Sequence, residues 1–282
     1  MELKAIAPKD VFIRIVEANI KVHLPDEYSN SNVEIKEIHK ATETYTALLV
    51  QNPSRPMTPA VNLDVFYNMY RENGNISEVL DGMAEIITMD IPDGYSKLPD
   101  FTKFENVEDK LFVRLVSGEG KEELKAAVPH RFIEDMLLIY CIHLQDATVT
   151  INNELLKGYG LTEQELHDKA LENSQKIFPA EVGDLGTMLG TGNDNLTIVT
   201  NFTHFCGASA ILYPHVLDDI AQGSRIYLLP SSMHEILVCD STSDPEELKK
   251  IVVAANATVV EPEDQLSDHV YAYENGELKI VA

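Results

Sequence analysis

Residues 226–240 read Ile-Tyr-Leu-Leu-Pro-Ser-Ser-Met-His-Glu-Ile-Leu-Val-Cys-Asp, and we interpret the rest of the chain outward from this stretch. Its two apolar runs are typical of β-strands. They flank a short polar connection, residues 230–235, which we name the Ser-His segment. No other part of the sequence is so dense in chemically useful side chains. They are Ser231, Ser232, His234 and Glu235.

Local signals elsewhere predict both helices and strands. Residues 33–39 and 44–51 indicate a pair of strands, and apolar residues at helical spacing from Leu63 predict a helix that ends at Gly74. Thr162-Glu-Gln-Glu165 is a capping box, which predicts a helix to about Ile177. Asp244-Pro245 starts another helix, and Asn275-Gly276 predicts a type I′ hairpin turn.

Three further interpretations concern the middle of the chain. The apolar run 132–144, with the neighbouring carboxylates Glu134 and Asp135 inside it, indicates a long strand. Residues 196–202 and 208–213 also indicate strands. Glycines at 183, 186, 190 and 192 indicate a mobile surface loop. Because no Gly-Lys-Ser/Thr follows and the third glycine of a dinucleotide fingerprint is missing, we expect no cofactor there.

These elements favour an α+β fold, with mixed, mainly antiparallel sheets and helices packed on one face. Strict alternation of strand and helix, as in doubly wound folds, is missing. The Pro- and Gly-containing polar stretch 90–109 is the best lobe boundary in the first half. The sequence therefore predicts an N-terminal lobe of residues 1–108 and a C-terminal α+β lobe of residues 109–282, or one continuous domain.

The charge balance narrows the classes of partner. The chain has 22 Lys and Arg against 46 Asp and Glu, a formal net charge of −24. Nucleic acids and anionic membranes are bound largely through Lys and Arg, so direct binding to either is disfavoured. The net charge is compatible with a basic protein partner. With no signal peptide or ~20-residue apolar run, and three cysteines, we expect a cytoplasmic, reduced protein.

The Ser-His segment has two kinds of interpretation. If it continues a strand, Ser232 and His234 share a face, and a Ser–His pair would need an orienting carboxylate from Glu235 or from Asp268. Ser231 is the alternative nucleophile. A structural turn is the competing interpretation, because Ser232 and Glu235 also have capping-box spacing. A non-catalytic binding surface is the third.

A metal site is a separate hypothesis. Cys141 and His143, and likewise His204 and Cys206, are spaced two residues apart, so each pair would share one face of a strand. Zinc accepts such nitrogen and sulfur ligands. The usual Cys-x-x-Cys knuckles are absent, and free cysteines on apolar strands commonly belong to the core.

The chain resembles an uncharacterised bacterial protein family, classified as a domain of unknown function, along its full length. The most specific mark is the string Leu-Pro-Ser-Ser-x-His-Glu at residues 229–235. The resemblance implies an origin in gut-type Gram-positive bacteria and an association with mobile genetic elements. It implies no activity, cofactor or catalytic residue. The supporting motifs are Val128-Pro129-His130 with Phe132 and Asp135, Thr200-Asn201, Gly207-Ala208, Ile211-Leu212-Tyr213, Leu266-Ser267-Asp268 and Val270-Tyr271.

The leading hypothesis is a non-catalytic interaction or accessory protein whose acidic surface contacts a basic partner. A hydrolase-like enzyme is the alternative, with Ser231 or Ser232 as nucleophile and His234 as base. A zinc-binding protein is the second alternative. The sequence specifies neither an oligomeric state nor a substrate.

Overall fold

The computed structural model describes residues 6–39, 44–55, 58–89, 99–144, 147–189 and 196–282. The chain divides into two compact units, unit 1 (Met1–Leu98) and unit 2 (Pro99–Ala282). Both units contain antiparallel sheets and helices, so the predicted α+β class is confirmed. Among the described residues, no helix is long and apolar enough to cross a membrane.

The described residues of unit 1 form a three-stranded antiparallel sheet and three α-helices. Phe12, Leu48, Leu63 and Met83 are fully buried in its core, and burial of each such side chain contributes roughly 1.5–3 kcal/mol. The sheet has the order β1-β2-β3. The elements are α1 (Lys9–Asn19), β1 (Asn32–His39), β2 (Thr44–Gln51), β3 (Val61–Asn62), α2 (Leu63–Asn73) and α3 (Ile76–Thr88). The predicted end of α2 is confirmed, because Gly74 adopts φ 64° there.

In unit 2, the residues that the structure describes form two antiparallel sheets. In the four-stranded sheet, β6 pairs with β4, β5 and β7, and the six-stranded sheet has the order β13-β12-β10-β11-β9-β8. The first elements are β4 (Leu111–Ser117), α4 (Glu122–Ala127), β5 (His130–Ile133), β6 (Met136–Leu144), β7 (Ala147–Thr150), α5 (Asn153–Tyr159) and α6 (Glu163–Ile177). The others are β8 (Ala180–Asp184), α7 (Leu185–Leu189), β9 (Thr197–Asn201), α8 (Val216–Ala221), β10 (Ile226–Leu229), β11 (Ile236–Asp240), α9 (Pro245–Thr258), β12 (Tyr271–Glu274) and β13 (Glu277–Ile280).

The predicted caps and the final hairpin are confirmed. Thr162 Oγ1 accepts the Glu165 amide at 3.2 Å, and the Glu165 carboxylate accepts the Thr162 amide at 2.8 Å. Asp244 caps α9 by accepting the amide of Glu246 at 3.0 Å. Asn275 and Gly276 have φ 55° and 81°, as a type I′ turn between β12 and β13 requires. These signals are local, and they specify the backbone directly.

Three predictions about the middle of the chain are wrong. The run 132–144 is two strands, because Glu134 takes φ 56° and turns the chain at Glu134–Asp135. Residues 208–213 lie mostly in a 3₁₀ helix, Gly207–Leu212. Gly183 lies in β8 and Gly186 in α7, so this part of the predicted loop is regular. Residues 190 and 192 lie outside the described residues.

Candidate functional site

The backbone of the Ser-His segment is held in a short ladder between β10 and β11. It pairs with residues 264–267, which precede β12. The Met233 amide donates to the carbonyl of Asp264 at 2.7 Å, and the Leu266 amide donates to the carbonyl of Ser231 at 3.2 Å. The segment is therefore fixed by backbone hydrogen bonds on both sides before any side chain contributes.

Ser232 uses its hydroxyl to hold the turn. Its Oγ accepts the amide of His234 at 3.0 Å, and the residue is only 5% exposed. Bonding of a serine hydroxyl to a backbone amide two residues on is a common turn device. The Ser232 hydroxyl accepts the amide of His234 and not that of Glu235. A tighter turn therefore takes the place of the predicted mutual cap of Ser232 and Glu235. This observation favours the structural interpretation of Ser232.

His234 lies between two oxygen atoms and a backbone amide. Its Nδ1 lies 3.1 Å from the carbonyl oxygen of His204, and its Nε2 lies 3.3 Å from Oδ1 of Asp264. The amide of Cys206 also donates to Nδ1, at 3.4 Å. No serine hydroxyl is bonded to the ring among the described residues. The arrangement therefore anchors His234 and lacks the Ser–His contact that a nucleophilic pair needs.

The carboxylate beside His234 is Asp264, which sequence reasoning missed. Of the two proposed partners, Asp268 instead accepts Asn256 Nδ2 at 2.7 Å, and Glu235 is half-buried at the start of β11. Asp264 lies in an irregular acidic stretch without helical or strand periodicity. Only the pairing of this stretch with the Ser-His segment brings it to the ring, and no local sequence signal predicts that pairing.

Gly207, the first residue of the 3₁₀ helix Gly207–Leu212, packs directly against the Ser-His segment. An added Cβ would lie 2.4 Å from the carbonyl oxygen of His234 and 2.8 Å from the amide nitrogen of Asn201. Thr200 Oγ1 donates to the same His234 carbonyl at 2.8 Å, and the Ala208 amide donates to the carbonyl of Met233 at 3.1 Å. Only glycine allows this close backbone approach. Thr200, Gly207 and the Ser-His segment are thus one packing unit.

A second polar cluster is centred on Asp135, at the β5–β6 turn. Its Oδ2 accepts the hydroxyl of Ser267 at 2.7 Å and lies 3.0 Å from Nδ1 of His269. Tyr271 donates its hydroxyl to Oδ1. In a catalytic triad the serine and the acid face different ring nitrogens, whereas here both face Nδ1. Asp135 therefore cross-links the β5–β6 turn to the segment before β12.

A third cluster joins α6 to the four-stranded sheet. Arg131 donates to both carboxylate oxygens of Glu163, at 2.8 and 3.1 Å, and Tyr140 donates its hydroxyl to Oε1. Although burial acts in the opposite direction, these hydrogen bonds lower the pKa of Glu163 below its usual value. Burial, reinforced by the charge of Arg131, lowers the pKa of His167. The cluster is a satisfied ion-pair network under the start of a helix.

The four proposed zinc ligands are not arranged as a metal site. In the described part of the chain, no three His, Cys, Asp or Glu side chains are placed to hold a metal ion. Burial raises the pKa of Cys141 to about 12 and that of Cys206 to about 11. Zinc binds the thiolate form, which these environments disfavour. Both cysteines therefore behave as core residues.

An aromatic cleft lies beside the Ser-His segment. It has a volume of about 530 Å³ and lies between β6, β7, the end of α6 and the loop after β9. Phe205 borders both features, because its ring centroid is 6.4 Å from that of His234. Sequence reasoning missed this cleft, whose residues come from separate segments. They are His143, Ala147, Thr148, Ile177, Phe178, Thr203 and Phe205.

Comparison with known proteins places the chain in a family. The model of a family of unknown function, DUF5688, matches residues 9–275. The chain belongs to this family. The match of DUF5688 spans both units, and it brings no activity or ligand with it. No curated protein and no solved structure matched the chain.

Proposed function

We propose that this DUF5688 protein is a non-catalytic interaction protein whose acidic unit 2 docks onto a basic protein partner. The observation that carries the proposal is the charge distribution. Unit 2 holds 31 Asp and Glu against 13 Lys and Arg, whereas unit 1 holds 15 against 9. Such an excess accelerates association with a basic surface and repels nucleic acid and anionic lipid. A bacterial cytoplasmic accessory role near a mobile element is the setting that we propose.

The geometry of the candidate site supports this proposal over catalysis. The hydroxyl of Ser232 already accepts a backbone amide, and the ring of His234 is held between a carbonyl and a carboxylate. A general base must lie within hydrogen-bond reach of the proton that it removes. Here the hydroxyl and the ring do not meet, so the Ser-His segment serves as a rigid support beside the docking surface.

A pull-down from the native host, with washes of rising salt, tests the proposal. We expect the intact protein to retain basic partners that are released as ionic strength screens the contact. Neutralising three exposed carboxylates of unit 2 should weaken retention, while three matched changes in unit 1 should not. Equal retention by both variants, or no retained partner, would contradict the proposal. The changes are Glu154→Gln, Glu181→Gln and Asp219→Asn against Glu17→Gln, Glu37→Gln and Glu72→Gln.

A hydrolase-like activity is the second candidate, favoured by the half-exposed His234–Asp264 pair. It would use Ser231 or Ser232 as nucleophile. Treatment of the protein with a fluorophosphonate probe, followed by peptide mass mapping, distinguishes the two functions. We expect no labelled serine. Labelling of Ser232 that is lost in His234→Ala would favour the hydrolase over the interaction protein.

A further inference from the structure

The loop at residues 201–206, between β9 and the following 3₁₀ helix, is held in an unfavourable conformation. His204 and Cys206 have φ 56° and 52°, in the left-handed region that non-glycine residues rarely adopt. The buried side chain of Asn201 stabilises the loop by donating to the Phe205 carbonyl at 2.7 Å and accepting the Thr203 amide at 3.0 Å. Strain held in this way clusters at binding sites.

This loop presents two phenylalanines outward. Phe202 is 75% exposed and Phe205 is 38% exposed. Phe205 lies 6.3 Å from Phe178, and Phe178 lies 5.1 Å from His143, measured between ring centroids. The three rings line the aromatic cleft. Ring surfaces at these distances form a wall against which a further aromatic ring can pack.

The cleft lies in the more acidic unit of the chain. Unit 2 holds 31 Asp and Glu against 13 Lys and Arg. None of the described residues that line the cleft is a Lys or an Arg. Lys176, which precedes the lining residue Ile177, is paired with Glu172 at 2.5 Å. The net charge of unit 2 therefore attracts a basic partner that approaches the cleft.

We propose that the aromatic cleft receives an aromatic side chain of the basic partner, with Lys or Arg residues on either side of it attracted by the acidic excess of unit 2. The inference rests on the proposed function and names the docking point. Aromatic anchors that fill a pocket carry most of the energy of many interfaces, while charges set the rate and the choice of partner. The strained loop holds Phe205 in place before binding, so little ordering remains to be done.

Three peptides test this docking point on the full-length protein. They are Lys-Lys-Trp-Lys-Lys, Lys-Lys-Ala-Lys-Lys and Glu-Glu-Trp-Glu-Glu, each with blocked termini. Because the chain contains no tryptophan, the peptide's indole emission reports on its own environment. We expect a blue shift on binding of the lysine–tryptophan peptide, and calorimetry should give it at least about tenfold higher affinity than either other peptide.

Two variants should remove the preference for tryptophan. Phe205→Ala deletes one wall, and Thr148→Phe fills the cleft from β7 without removing any contact of the loop. Either should reduce binding of the lysine–tryptophan peptide to the level of the alanine peptide. Phe132→Ala, which truncates an exposed ring on β5 outside the cleft, is the matched control and should bind as the wild type does.

The outcomes separate this inference from the proposed function. Equal, salt-sensitive binding of both lysine peptides, unaffected by Phe205→Ala and Thr148→Phe, would overturn the cleft as docking point and leave the acidic surface standing. Equal binding of the two tryptophan peptides would overturn the charge preference. If neither lysine peptide bound at low salt, both proposals would fail.

Discussion

The loop at residues 201–206 has a polar side and an aromatic side. On one side, His234, Asp264 and the Ser-His segment form a polar group whose hydrogen bonds are made within the protein. On the other side, Phe205 faces an open aromatic cleft. The side that is richer in reactive residue types is the one that is already satisfied. The segment with the most reactive residue types therefore holds the fold together, and the surface that is open to a partner is the neighbouring cleft.

The largest effect should follow from breaking the support at Gly207. We expect Gly207→Ala to destabilise the protein by roughly 3 kcal/mol or more, because the new Cβ meets backbone atoms that cannot move aside. Urea unfolding measures the change. Gly158→Ala is the control, since a Cβ there meets nothing within 4 Å in α5, and it should stabilise by about 0.5–1 kcal/mol. Similar stabilities for the two variants would contradict the packing of Gly207.

The Asp135 cluster should give the next largest effect. Asp135→Asn replaces one of the acceptor oxygens that serve Ser267, His269 and Tyr271, so we expect a loss of about 2 kcal/mol in the free energy of unfolding. Asp109 is exposed and paired with its neighbour Lys110, and Asp109→Asn is the control. A loss no greater than that of the control would show that the cluster does not hold the β5–β6 turn.

Ser232 distinguishes a turn residue from a nucleophile. Ser232→Ala removes the acceptor for the His234 amide and should cost about 1 kcal/mol, measured by thermal unfolding. Ser243→Ala, at an exposed position after β11, should change stability by less than about 0.5 kcal/mol. If Ser232→Ala were as stable as the wild type, its hydroxyl would be free for another role.

The smallest effect concerns pH and the third cluster. The pKa of Glu163 is lowered in the folded protein, so its contribution is present above the unfolded value of 4.5 and is lost as pH falls through the folded value. Glu163→Gln should therefore lose less stability on acidification from pH 6 to about pH 3 than the wild type does. Glu119→Gln, at an exposed turn, should follow the wild type. Parallel curves for Glu163→Gln and the wild type would contradict the network.

How much the sequence reveals depends on the range of each interaction. The capping box at Thr162 and the Asn275-Gly276 turn were predictable, because all their determinants lie within a few residues. The strand prediction for residues 208–213 was wrong, because a short apolar run does not distinguish a strand from a buried helical segment. Asp264 was missed for a different reason. Its relation to His234 exists only after two distant segments pair.

The family motifs also depend on contacts between segments that are distant in sequence. Thr200, Gly207, the Ser-His segment and Ser267 are scattered in sequence, yet they meet around one backbone junction. The cleft offered no such signal, because Phe178 is buried and Phe205 resembles an ordinary core residue until the fold leaves it 38% exposed. The position of these residues in the fold, and not their type, distinguishes the stabilising Ser-His segment from the proposed docking surface.

The most direct test maps binding onto both sides of the loop at once. Amide chemical shifts of the ¹⁵N-labelled full-length protein would be followed during titration with the lysine–tryptophan peptide. We predict that the largest changes occur at His143, Phe178 and residues 202–205, while the amides of Ser231 and Ser232 change little. Changes centred on the Ser-His segment and Asp264, with the cleft unaffected, would contradict the account.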